Sequence, residues 1–305
     1  MKRLWILPVI VLLFLNNACK KDEVPEDPKP VDPPVDTIAF PYIDTVSLIT
    51  LNVAGLPQGL SSGDPVHNTS EIGRRLNAYD IVNVQEDFNY NHFLYGTAKH
   101  KYKTKWHGPV PFGDGLNTLS NFKILDFQRQ KWNQCNGADC LTPKGMSYSQ
   151  IELIPGYTFD LYNIHANAGS DAKDMAARLS NLHQIYEYIA THSAGRPMII
   201  MGDFNCRYTR DSVHMMFDLG LTDTWIEVMR NGDVPVLGAD PFMDCTSATS
   251  PTCETVDKIF YRSSENFRIT PLEFKKPREE FQRDGADLSD HIPVYTLFRF
   301  EILKK

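Results

Sequence analysis

Eight polar side chains sit where apolar, strand-like runs stop. Asn52 follows Leu48-Ile49-Thr50-Leu51, and Glu86 ends Ile81-Val82-Asn83-Val84-Gln85. His165 ends Leu161-Tyr162-Asn163-Ile164, while Asp203 and Asn205 follow Ile199-Ile200-Met201-Gly202. Asp257 opens the run Lys258-Ile259-Phe260-Tyr261, and Asp290 and His291 precede Ile292-Pro293-Val294-Tyr295. Singly, an Asn or Asp at a strand end is a turn former. Together, four carboxylates, two amides and two histidines make up the inventory of a magnesium-assisted phosphoryl site. Oxygen ligands suit a hard cation, Mg²⁺ or Mn²⁺ in its place. Histidines move protons near neutral pH, and an Asp beside a His fixes its tautomer.

The elements that must hold these groups follow from the apolar runs. The chain has 305 residues, 42% apolar and 23% charged, enough to bury a full core. Its net charge of −7, from 31 basic and 38 acidic side chains, argues against a non-catalytic nucleic-acid coat. Its negative mean hydropathy excludes a polytopic membrane protein. Runs rich in β-branched residues at 45–53, 81–84, 151–154, 159–164, 198–201, 256–261 and 292–300 predict strands. Helical spacing is read at 174–192, from Leu179, Leu182, Ile185, Tyr186 and Ile189, and over the shorter stretch 211–219. Strands outnumber helices and several are close in sequence, which predicts antiparallel sheets with helices outside, an α+β layered fold.

The first forty residues stand apart. Lys2 and Arg3 precede an apolar run, Leu4 to Leu15, too short for a bilayer, as in a secretory signal. Ala18-Cys19 closes it and resembles a bacterial lipobox, so residues 1–18 are expected to be a signal peptide and Cys19 the lipid attachment site. Residues 19–40 are acidic and proline-rich and are expected to be an extended tether. Residues 41–305, with 26 basic against 32 acidic side chains, form one catalytic domain. The expected location is export and anchoring to a bacterial membrane through Cys19, at the outer membrane facing the periplasm or the cell surface. In an oxidising compartment, Cys135 with Cys140 and Cys245 with Cys253 are expected to form two local disulfides rather than a zinc site. Cys206 is left as a free thiol near the site.

The segments Leu51-Asn52-Val53, Gln85-Glu86, Asn163-Ile164-His165, Gly202-Asp203-Phe204-Asn205, Val256-Asp257-Lys258-Ile259 and Ser289-Asp290-His291 resemble, in order, the signature blocks of the endonuclease/exonuclease/phosphatase superfamily. The block Gly115-Leu116-Asn117-Thr118-Leu119-Ser120 is similar to the family's segment ahead of a central strand. The resemblance covers about residues 44–300. It implies a four-layer α/β/β/α sandwich with its site at one edge of two sheets. It also implies that Asn52 and Glu86 hold Mg²⁺ with Asp290 near it, and that Asp203 and Asn205 orient the nucleophile and the phosphate oxygens. By the same resemblance His291, oriented by Asp257, is the general base and His165 the second catalytic histidine. Ala166 after the histidine and Cys206 after Asn205 depart from the common pattern and mark a distinct subfamily, so the substrate does not carry over.

The implied activity is hydrolysis of a phosphodiester, of a phospholipid headgroup as in a sphingomyelinase or of nucleic acid as in a deoxyribonuclease-like endonuclease. The anchor and the acidic domain favour the lipid; the lack of a long apolar hairpin counts against it. A binding lipoprotein that kept the fold and lost activity is the competing class, disfavoured by the intact polar set. No obligate protein partner is inferred. Three further features are read as structural. Gly59-Leu60-Ser61-Ser62-Gly63 matches a nucleophile elbow but is expected to be a loop, because Asp64-Pro65 argues against a following helix. The alternating lysines 99, 101, 103 and 105 suggest a protected edge strand, or a grip on phosphates or an anionic membrane. Phe88, Tyr90, His92, Phe93 and Tyr95 suggest core packing or an aromatic rim.

Overall fold

The β-branched run of the first strand carries two apolar faces, and each is covered by a different layer. Val46 and Leu48 join the core shared with the second sheet, while Ile49 and Leu51 join a second cluster with Ile72, Leu76 and Leu94. A strand buried on both faces needs a sheet on one side and helices on the other. The computed structural model describes residues 38–303 apart from Ser62, so the apolar leader, Cys19 and most of the tether lie outside the described residues.

In chain order the elements are β1 (Tyr42–Asn52), α1 (Pro65–Arg75), β2 (Ile81–Gln85), α2 (Asn91–Thr97), β3 (Tyr102–Lys103), β4 (Asn117–Ser120), β5 (Lys123–Lys131), β6 (Gly145–Ile154) and β7 (Tyr157–His165). There follow α3 (Ala172–His192), β8 (Met198–Asp203), β9 (Thr222–Asp223), α4 (Thr224–Arg230), β10 (Asp257–Arg262), β11 (Phe267–Lys275), β12 (Gln282–Arg283), β13 (Ala286–Asp287) and β14 (Val294–Ile302). One sheet has the order β11-β14-β1-β2-β4-β3, the other β5-β6-β7-β8-β10-β9. Each is antiparallel except for one central parallel pair, β1 with β2 and β7 with β8. A helix links each parallel pair, α1 in the first and α3 in the second. The result is the four-layer α/β/β/α sandwich.

The helix boundaries have local causes. Asp171 caps α3 by accepting from Lys173 N and Asp174 N, both at 2.8 Å, and Asp174 returns the bond to Asp171 N. Such a capping box contributes on the order of 1 kcal/mol. The helix buries Leu182, Ile185 and Ile189 fully, each contributing about 1.5–3 kcal/mol. Leu179, expected on the same face, is exposed instead, because the buried stripe turns through Arg178 and Asn181. The expected helix over 211–219 is a 3₁₀ segment, Val213–Leu219, closed by left-handed Gly220.

One expectation was wrong in its reasoning. A helix does begin at Pro65, with Asp64 as its N-cap. Proline's fixed φ and missing N–H suit the first helical turn, so Asp64-Pro65 is a start signal rather than a stop. The segment between β1 and α1 is nevertheless loop, without the strand–turn–helix geometry of an elbow. The lysine stripe is reduced to the two-residue edge strand β3, where Lys103 folds back to Tyr95 O at 3.0 Å. Strands β5 and β11 were missed: at the edges of their sheets they are largely exposed on one side and lack a continuous apolar run.

Near the loop end of the sandwich the space between the sheets is filled by amides rather than aliphatic groups. Asn83 Nδ2 donates to Tyr162 O at 3.0 Å, and Thr118 Oγ1 to Asn83 Oδ1 at 2.7 Å. Gln85 Nε2 donates to Asn163 Oδ1 at 2.7 Å, and Asn163 Nδ2 to Val84 O at 2.9 Å. Three of these bonds tie one sheet to the other, and Thr118–Asn83 braces the layer within the first sheet; in a buried layer satisfied polar networks are rigid and an unsatisfied one is costly. They fix the register between the two strand ends that carry the polar side chains.

Candidate active site

Three of the polar residues stand in one row across the second sheet. His165 is the register partner of Asp203 in the parallel pair, and Asp203 is the register partner of Asp257 in the antiparallel pair. From the first sheet, Asn52 ends β1 and Glu86 follows β2. From the loop before β14, His291 reaches over the row.

Asp203 is the hub. Its Oδ2 lies 3.3 Å from Asn52 Nδ2, 3.3 Å from His165 Nε2 and 3.8 Å from His291 Nε2. Its Oδ1 accepts from Asn205 N at 2.9 Å. Burial pushes its carboxyl up, but the charges of His291 and His165 outweigh burial and hold it below the usual carboxylate range. Asn52 Nδ2 also donates to Glu86 Oε1 at 3.0 Å, and His165 Nε2 is 3.9 Å from the same oxygen. His165 Nε2 therefore faces two carboxylates.

His291 Nδ1 lies 2.8 Å from Asp257 Oδ2. Burial disfavours the charged ring, yet the carboxylates of Asp257 and Asp203 outweigh it and raise its pKa to about 10. Burial likewise pushes the Asp257 carboxyl up, against the attraction of His291. Ser289 Oγ supports this loop by donating to Asn52 O at 2.6 Å and accepting from His291 N at 3.2 Å. One serine thus joins the end of β1 to the loop that carries His291.

Backbone strain gathers at the same place. Ala54, Glu86 and Asn205 all adopt positive φ, at 49°, 54° and 51°. For Glu86 the conformation is held by Gly55 N to Glu86 O at 3.1 Å and Phe88 N to Glu86 O at 2.8 Å. Gly115 backs it: a Cβ there would lie 2.9 Å from Glu86 Cα, and its φ is +67°. Outliers of this kind persist where the surroundings over-determine them, and they concentrate at functional sites.

Seven of the eight predicted residues are brought together. Asp290 is the exception: it is exposed, makes no side-chain bond to the others among the described residues, and acts on His291 through its charge. Both expected disulfides, Cys135–Cys140 and Cys245–Cys253, are present. Cys206 is fully buried, and burial pushes its thiol far up, so it is no surface nucleophile. Of the aromatic segment, Phe88 is core, whereas His92 packs tilted against Phe93 at the surface.

Several supporting residues were not anticipated. Trp132 Nε1 donates to His165 O at 2.6 Å. Arg178, buried and paired with Asp211 at 2.6 Å, also donates to Asn167 O and Gly169 O, each at 2.9 Å, and so fixes the chain after His165. Lys144, nearly buried, pairs with Asp139 at 2.9 Å and adds positive potential at Asp203. A signal existed for Asn83, Gln85 and Asn163, amides inside otherwise apolar strands. Lys144 and Arg178 had none, because their partners are far away in sequence.

Oxygen donors of Asn52 and Glu86 fit a hard divalent cation. Glu86 keeps Oε2 clear of protein donors among the described residues, and its side chain is partly exposed. Asp203, Asp257 and His291 also lie within ion-binding distance of one another, all ligand atoms within 4.8 Å. Asp203 Oδ2 already accepts from Asn52 Nδ2, and Asp257 Oδ2 is paired with His291 Nδ1, whereas Glu86 Oε2 has no protein donor among the described residues, so the Glu86 side is the better fit.

Residues 49–291 match the model of the Endonuclease/Exonuclease/phosphatase family. The chain is similar to a sphingomyelinase of Mycobacterium tuberculosis, 41% identical over 280 residues, 88% of this chain and 54% of that protein. The chain thus spans about half the length of the curated relatives it matches. Its fold is similar to a Staphylococcus aureus beta toxin solved with bound magnesium ions, at a TM-score of 0.57 and 17% identity over 83% of this chain and 99% of that one. It is equally similar to TDP2 of D. rerio in complex with a single-strand DNA product, at a TM-score of 0.58 and 18% identity over 83% and 98%. With the family model covering both strand-end histidines and the whole carboxylate set, the chain belongs to the Endonuclease/Exonuclease/phosphatase family.

Proposed function

We propose that this protein is a divalent-metal-dependent phosphodiesterase that cleaves a phospholipid headgroup, in the manner of a sphingomyelinase. The observation that carries the chemistry is the Asp203 carboxylate flanked by His165 and His291, with Asp257 behind His291. The lipid is favoured over nucleic acid by the 41% identity to proteins named sphingomyelinase, against 18% to the DNA-bound neighbour.

Asn52 and Glu86 would hold Mg²⁺, with Asp290 adding negative charge at the rim. The bound cation would neutralise charge on the non-bridging phosphate oxygens. The chain's own groups supply the rest. His291 Nε2 takes a proton from the attacking water while Asp257 holds Nδ1–H. In the metal-free protein the Asp257 and Asp203 carboxylates favour the charged ring, so its service as a base is helped by a positive charge beside these carboxylates. His165 offers Nε2–H to the phosphate or the leaving oxygen. Asn205 gives one amide proton to Ala166 O at 3.0 Å and keeps the other for a phosphate oxygen. We place the protein, by the same reading, on a membrane through lipidated Cys19. Among the described residues no helix is long and apolar enough to cross one.

The test is a panel of sphingomyelin, phosphatidylinositol phosphates, DNA and a chromogenic phosphodiester, with Mg²⁺ and with chelator. Chelator-sensitive release of phosphocholine from sphingomyelin, lost in His291→Ala, supports the reading. Cleavage of DNA alone moves the protein to the nuclease reading, and chelator-resistant activity contradicts the metal dependence.

A further inference from the structure

Behind Asp257, on the side away from His291, three buried polar atoms have no partner in the protein: Asp257 Oδ1, Glu254 Oε2 and Trp225 Nε1. Their residues are 3%, 2% and 4% exposed. All three residues line one small cavity of about 10 Å³, together with Asp223, Thr255, Lys258 and Phe274. That is the volume of a single water centre. The other polar neighbours are committed. Asp223 accepts from Trp225 N at 2.8 Å and Tyr208 Oη at 2.7 Å, and Lys258 Nζ donates to Glu254 Oε1 at 2.8 Å and Thr255 O at 3.2 Å.

The three free atoms are two carboxylate acceptors and one N–H donor. A metal cation would satisfy the carboxylates but meet the indole N–H head on. An anion would satisfy the indole and be repelled by both acids. Only a small species with two donors and one acceptor answers all three, and water is that species. An unsatisfied buried acceptor or donor costs about 1–3 kcal/mol, so three together strongly favour occupancy.

We propose that this cavity is a structural water site, and that Trp225 and Glu254 are positioning residues that act through its water on Asp257. The water accepts from Trp225 Nε1 and donates to Glu254 Oε2 and Asp257 Oδ1. This fixes the plane of the Asp257 carboxylate so that Oδ2 points at His291 Nδ1. The inference rests on the reading of Asp257 and His291 as an oriented pair, but its primary readout does not depend on activity.

The test is proton NMR of the intact domain, with the Trp225 indole proton assigned by its loss in Trp225→Phe. The proposal expects direct cross-relaxation between that proton and a long-lived water. It also expects the His291 Nδ1 proton to shift downfield in Trp225→Phe, because a water that no longer accepts from the indole donates more weakly to Asp257 Oδ1, and the carboxylate then accepts more strongly through Oδ2. Phe274→Leu, which alters the same cavity without removing a polar atom, should leave that proton in place. An indole proton without water contact, or a high-resolution crystal structure showing the cavity empty or holding a metal ion, overturns the site. A His291 signal that moves equally in both variants, or in neither, overturns the positioning role. If Trp225→Phe fails to fold, the crystal structure and the wild-type cross-relaxation to the buried water still decide the site. An enzyme inactive on every phosphodiester would overturn the functional reading and leave these water signals unaffected.

Discussion

Asp203 and Asp257 are register partners on neighbouring antiparallel strands, two buried carboxylates facing the same edge of one sheet. Like charges directly opposite destabilise a sheet unless something compensates them. Here His291 compensates both, 2.8 Å from Asp257 and 3.8 Å from Asp203.

That arrangement predicts how stability depends on pH in the metal-free protein. The folded pKa of His291, about 10, lies above its ordinary value near 6.5. A raised histidine contributes stability that is fully present below about pH 6.5 and is lost as pH rises towards 10. Denaturant melts of the chelated protein between these values should show falling stability, and His291→Gln should flatten the profile. A wild type whose stability rises over this window contradicts the assignment of charge.

Glu86→Gln keeps the shape of the side chain but removes its charge. Activity should then require far more Mg²⁺, with kcat recovering towards wild type at saturating metal. A metal titration of both proteins measures this, and an unchanged half-saturating concentration would show that Glu86 is no ligand.

Asn163→Leu tests the amide layer between the sheets. It leaves Gln85 Nε2 with one acceptor fewer and strips the donor from Val84 O and Asn117 O. A loss of about 1–3 kcal/mol is expected for each buried group left unpaired. Urea unfolding should show a clear drop in midpoint at unchanged slope; a neutral result would mean the sheets are registered by apolar packing alone.

Cys19→Ala tests the anchor. Fractionation should find the variant released from membranes or left unprocessed, with the domain's activity on soluble substrate intact. A variant that stays membrane-bound and is processed normally contradicts lipidation at Cys19.

The four-layer sandwich and the clustering of the strand-end polar groups were both legible in the sequence. The strand-end groups were legible because an ionisable residue stands out against an apolar run, as Glu86 does after Ile81-Val82-Asn83-Val84-Gln85. Edge strands such as Lys123–Lys131 were not, since one solvated face and a bulge erase the apolar pattern. Helix α1 was misjudged because proline was read as a breaker where it serves as a first-turn residue. Arg178 and Lys144 were invisible, because a buried cation is recognised only by its distant partners.

The central claim is that His291 and Asp257 act as one oriented base. The direct test is kcat/KM for His291→Ala, Asp257→Asn and the double variant, on the phosphodiester that the panel identifies. His291→Ala should cost roughly 10²–10⁴-fold, the range for a positioned acid–base group. Asp257→Asn should cost less, and the double variant should be little worse than His291→Ala alone, because groups acting as a unit are not additive. Losses that simply multiply, or near-normal activity of a folded His291→Ala, would contradict the account.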